Sequence, residues 1–167
     1  MELSELQNTF RNLENTVAGY TRNLNSMYSQ MKDLKAQANE YRRAAESILD
    51  RCAVEDDAGR VFDMVNQARA YISRAESCES NVRQLETQIQ NIKSTIKGYC
   101  SSYKACITEA ANNVNNLSAA MNKLNAAAGS YGTSKINQTI SQIKQRASAN
   151  QQIANACRNR ISWINNL

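Results

Sequence analysis

Apolar residues recur along this chain in steps that alternate three and four. The first series runs Leu3, Leu6, Phe10, Leu13, Val17, Tyr20, Leu24, Met27, Met31, Leu34, Ala38, Tyr41, Ala45, Ile48 and Cys52. Its period of 3.5 is that of an a/d seam, the apolar stripe by which one long helix packs on another. It predicts one helix of about 50 residues, about 75 Å long at about 1.5 Å per residue. Ser4 with Gln7 reads as a capping box near its start.

The series stops at VEDDAG, residues 54–59. Asp56 or Asp57 can cap a second helix there, because a carboxylate accepts bonds from the free N–H groups of the first turn. A second seam follows, from Val61 and Met64 through Val82, Ile89 and Ile96 to Tyr103, Cys106 and Ala110. It continues, slightly shifted, through Val114, Leu117, Met121, Leu124 and Ala128. A third runs Ile136, Ile140, Ile143, Ala147, Asn150, Ala154, Cys157, Ile161 and Ile164. Asn150 takes a core position, where a buried amide fixes register at a cost in stability.

Between the second and third seams lies GSYGTSK, residues 129–135. It has the glycines and lysine of a phosphate loop but not the spacing, and no strand precedes it. It reads as a helix–helix turn. Gly129 would take the left-handed position that ends one helix, and Thr133 or Ser134 would cap the next.

The expected fold is therefore all-α, a single domain over residues 1–167. Three helices, about 3–54, 60–128 and 134–166, would form antiparallel coiled-coil hairpins in an elongated bundle. Leu3 would face the Ala110 region, and Cys106 would lie opposite Cys157. Three helices would meet around residues 95–111. The alternative is a compact four-helix bundle broken near Gly98.

Composition agrees with this reading and removes much chemistry. There is no proline, and there are only five glycines, so turns must be few. The absence of histidine removes the commonest general base and zinc ligand together. The five cysteines form no C-x-x-C pair, which argues against zinc and thioredoxin-like chemistry. They read as reduced, packed thiols, with a Cys106–Cys157 disulfide as the sharper alternative. No catalytic, cofactor-binding or metal-binding residues are assigned, and the expectation is a non-enzymatic protein without a cofactor.

Charge is uneven. Residues 1–59 hold seven basic and ten acidic groups, whereas residues 99–167 hold seven basic and one acidic. Seven charges over so long a stretch is sparse for tracking phosphates, so a basic nucleic-acid-binding protein ranks behind the other readings. No apolar run approaches the about 20 residues that span a bilayer. Charges throughout the first residues argue against a cleavable signal peptide. The expected location is cytoplasmic, or outside by export without a cleaved leader.

Flanking the first turn there is more apolar surface than a two-helix seam uses. Leu49, Val54, Phe62, Val65 and Ile72 are the candidate partner-binding residues there, with Trp163 as a separate candidate. They imply a helical protein partner or a homo-oligomer rather than a small-molecule substrate. The leading function is a helical interaction module; the alternative is a self-assembling coiled-coil scaffold, since long seams with polar amide-rich faces could assemble end to end.

In general style the chain resembles the small Asn/Gln-rich helical-hairpin proteins of type VII secretion, the WXG100 group and the helical partners of LXG toxins. It departs from their W-x-G turn, since its turns read VEDDAG and GSYGTSK and Trp163 is followed by Ile164 and Asn165. No tyrosine has Asp or Glu four residues on, so the Y-x-x-x-D/E signal is missing, and Val17-Ala18-Gly19 is the nearest approach to L-x-G. The resemblance implies an adaptor or targeting partner for a larger helical secreted protein.

Overall fold

A computed structural model describes residues 1–127 and 133–167. The chain is all-α, with no strand among the described residues. Helix α1 spans Leu3–Cys52, α2 Ala58–Gly98, α3 Cys100–Ala126 and α4 Thr133–Asn165. These are three helices in four pieces, because α2 and α3 are parted by Tyr99 alone. Tyr99 itself stays in the right-handed helical region, with φ −72° and ψ −10°. Its N–H reaches the Ile96 carbonyl at 3.0 Å, and the Tyr103 N–H returns to the Tyr99 carbonyl at 3.1 Å. One turn tightens, then the helix resumes, so the chain does not reverse at Gly98.

Gly98 is therefore a helix residue without a conformational need for glycine. It has no positive φ, and a Cβ there would meet nothing within 4 Å. Gly98→Ala is expected to raise stability by about 0.5–1 kcal/mol, seen as a higher urea midpoint, because glycine loses more backbone freedom on folding.

The caps follow local chemistry. Asp57 Oδ1 accepts the Arg60 N–H at 2.9 Å, and Val61 N–H bonds the Asp57 carbonyl, so Asp57 is the residue that caps α2. At α1 the sequence reading needs correcting. Ser4 lies inside the helix, and the reach-back is made by Glu5, whose carboxylate accepts the Glu2 N–H at 3.1 Å. Glu5 sits one turn in and meets the positive end of the helix, which a neutral Gln7 farther along cannot do. The proposed Gly129 cap and most of GSYGTSK lie outside the described residues; Thr133, Ser134 and Lys135 open α4.

All three seams face inward. Every residue of the first seam is buried or half-buried, and Leu6 and Val17 have no exposed surface. The same holds from Val61 to Ala110, and from Ile136 to Ile164. Asn150 is 1% exposed, accepts from Asn113 Nδ2 at 2.9 Å and donates to the Arg146 carbonyl at 2.9 Å. Both ends of this buried amide are therefore satisfied.

Contacts gather the chain into two compact units, one of Met1–Tyr20 with Ser94–Leu167, the other of Thr21–Lys93. In the first unit α3 packs along α4, and the start of α1 lies against both. Phe10 meets Tyr103 edge-on at 6.5 Å between ring centroids, and Tyr20 meets Tyr99 at 6.0 Å. Ile153, outside the third seam, is nonetheless buried. In the second unit Ala45, Ile48 and Ala68 form a buried cluster, with Cys52, Met64, Tyr71 and Ile72 packed on it.

Candidate functional site

The second unit carries a ladder along one flank of its seam. Lys93 Nζ stands 5.8 Å from the Tyr28 ring centre. One heptad further along α1, Lys35 pairs with Glu86 at 3.8 Å. One heptad further again, Arg42 pairs with Glu79 at 2.7 Å. Each rising position on α1 answers a falling one on α2. Such flanking charges close a two-helix seam against water, although exposed pairs of this kind contribute little stability. The next step of the ladder is Leu49 with Ile72. There the flank turns from charged to apolar.

This edge is not covered within its unit. Leu49 is 44% exposed, Phe62 68% and Val54 81%, making three of the five exposed large hydrophobic residues among the described residues. Val65 and Ile72 are half-buried. Phe62, Val65 and Ile72 recur at the three- and seven-residue spacings that keep them on one side of α2. The other flank of the same seam is polar: Arg74 lies over Tyr41 and Tyr71, whose rings are 6.2 Å apart. The apolar edge thus belongs to one side only. Glu46, Asp50, Asp56 and Asp63 stand exposed around the turn, without an ion-pair partner among the described residues.

Trp163 belongs to the first unit and has a different role. It is half-buried, and the Arg160 guanidinium stacks over its ring at 5.2 Å. Arg160 in turn grips Glu14, Nε to Oε1 at 2.9 Å and Nη2 to Oε2 at 2.5 Å. The Tyr103 hydroxyl donates to the same Glu14 Oε1 at 2.7 Å. Glu14, Tyr103 and Arg160 come from α1, α3 and α4. Arg160's hydrogen bonds hold the Glu14 carboxyl below the usual carboxylate range, against the opposing effect of burial. Burial first, then the bond to Glu14, pushes the Tyr103 hydroxyl well above the ordinary tyrosine range. Seam reading missed this network because Glu14 and Arg160 sit beside the stripes. The one available signal was a charged residue next to each stripe where three helices should meet.

Cys106 and Cys157 are buried, and their thiols are hydrogen-bond neighbours. Both stand as free thiols. Burial pushes Cys157 up to about 12 and also raises Cys106. Deprotonation therefore favours the unfolded chain. The stability these thiols supply is complete below the ordinary thiol pKa of about 8.5, and is lost as pH rises toward about 12. In the native chain at mildly alkaline pH, half-buried Cys52 and Cys100 should react with a thiol reagent first. Cys78, Cys106 and Cys157 should react only on unfolding. Recovery of fewer than all five thiols after unfolding without reductant would reveal a disulfide.

No described helix is long and apolar enough to cross a membrane. No protein family, curated protein or solved structure matches the chain.

Proposed function

We propose that the chain is a non-enzymatic helical interaction module, built as antiparallel coiled-coil hairpins, that binds a helical protein partner through the Leu49–Phe62–Val65–Ile72 edge. The observation that carries this reading is the change in the flanking ladder. Three successive steps are closed by a charge or an ion pair, and the next is apolar, with Leu49 44% exposed beside half-buried Ile72. Exposed Leu49, Val54 and Phe62 gathered around one turn, with polar residues about them, suit an interaction surface. Helix-in-groove recognition uses side chains at this spacing.

The resemblance to the helical proteins of type VII secretion supports a more particular version, an adaptor or targeting partner for a larger helical secreted protein. Self-assembly into a scaffold is the competing account.

The test is affinity co-purification from native lysate. The chain should bring down a stoichiometric helical partner, and Leu49→Asp with Phe62→Asp should lose it while helicity is kept. Phe62→Asp alone should change folding stability by less than about 0.5 kcal/mol, because the ring is mostly in water. Recovery of the chain alone, as a defined oligomer, would favour the scaffold.

A further inference from the structure

The first unit holds a second surface, independent of the apolar edge. Its α3–α4 pair is already filled along part of its length by an amphipathic helix, the segment Met1–Tyr20. That segment buries Leu6 and Val17 completely and carries three acids, Glu2, Glu5 and Glu14, against one base, Arg11. One of these acids, Glu14, is gripped by Arg160 of α4. The helix begins at Leu3, but α3 runs on to Ala126 and α4 begins back at Thr133. The pair therefore continues past the place where α1 starts.

An open groove of about 600 Å³ lies at that place, with Met1, Glu2 and Ser4 at the α1 end and Asn113, Leu117 and Arg146 along α3 and α4, so that Glu2 is its one acid and Arg146 its one base. Past Ala110, α3 has no buried residue. Val114, Leu117, Met121 and Leu124, although apolar, are only half-buried. Charge adds a second, separate indication. Glu109 is the last acid in the chain, so the whole distal pair carries bases only, Lys123, Lys135, Lys144 and Arg146. All four are exposed, with no ion-pair partner among the described residues.

We propose that this groove binds an acidic amphipathic helix of another protein, in line with α1 and by the same chemistry. Continuity with the seat of α1 supplies the shape; Arg146 in the groove and Lys123, Lys135 and Lys144 farther along the same pair supply the sign, away from Glu2 at the α1 end. A second copy's Met1–Tyr20 is a poor occupant, because its apolar face is already buried in its own unit.

The test is fluorescence anisotropy of the full chain with two synthetic helical peptides of about 20 residues, long enough to hold a helix when bound. Both carry a leucine seam, one flanked by glutamates and the other by lysines. The glutamate peptide should bind and the lysine peptide should not. Arg146→Glu should weaken the glutamate peptide roughly three- to tenfold, as should raised salt. Phe62→Asp should leave it unchanged, which separates this groove from the apolar edge. Equal binding of both peptides would overturn the proposal, as would indifference to Arg146→Glu. Loss through Phe62→Asp would move the peptide to the other surface and also overturn it. Self-association abolished by Arg146→Glu would give the groove to a second copy instead.

Discussion

Tyr103→Ala should cost about 4 kcal/mol of folding stability, the largest effect expected of any single change in this chain. Tyr103 is the largest side chain with no exposed surface. Its ring packs edge-on against Phe10, and its hydroxyl reaches Glu14 at 2.7 Å. Removing the ring leaves a cavity where α1, α3 and α4 meet, and long helices cannot collapse locally to fill it. Tyr103→Phe separates the two contributions. It keeps the packing and loses one hydrogen bond, and Glu14 still has Arg160, so the expected loss is about 1 kcal/mol. Chemical denaturation of both variants checks this. A Tyr103→Phe loss as large as that of Tyr103→Ala would mean that the hydroxyl, not the ring, holds the three helices.

Arg160→Met should cost about 2 kcal/mol and should also change how stability depends on pH. The substitution keeps an unbranched stem of similar length and removes the guanidinium, with its bonds to Glu14 and its stacking over Trp163. Glu14 would then be half-buried with Tyr103 as its only partner. In the wild type, Arg160 lowers the Glu14 pKa, so the folded state holds this carboxylate ionised more firmly than the unfolded state does. That contribution is present above the ordinary carboxylate pKa, about 4.3, and is lost as pH falls through the folded value. The wild type should therefore lose stability in acid more steeply than Arg160→Met, and the two denaturation midpoints should converge toward low pH. Parallel curves would show that the pair contributes through packing alone.

Much of the fold was legible because one physical rule governs long helices. A stripe at period 3.5 must face another helix, and every seam residue from Leu3 to Cys52 is indeed shielded. Packing the stripes against each other also put Cys106 opposite Cys157, where the structure places it. The Asp57 cap was legible from the turn chemistry of VEDDAG. What stayed hidden depends on more than one helix at a time. The pairing of Glu14 with Arg160 is set by which third helix arrives beside a stripe, and a seam cannot report that. The start of α1 was misread because Ser4–Gln7 fits the capping pattern, while the Glu5 carboxylate, one residue on, fits the helix dipole better. The apolar edge was visible as an excess of hydrophobic residues. Its one-sidedness emerged only once the ladder Tyr28–Lys93, Lys35–Glu86, Arg42–Glu79 showed which flank Leu49 and Ile72 continue.

The most direct test of the interaction account is site-specific photo-crosslinking in the native cell, with a photoreactive side chain at Phe62 and, as control, at exposed Gln90 of the same helix. The account predicts one heterologous helical protein joined to the chain from position 62 and not from position 90. Crosslinks only to further copies of the chain, or the same products from both positions, would contradict it.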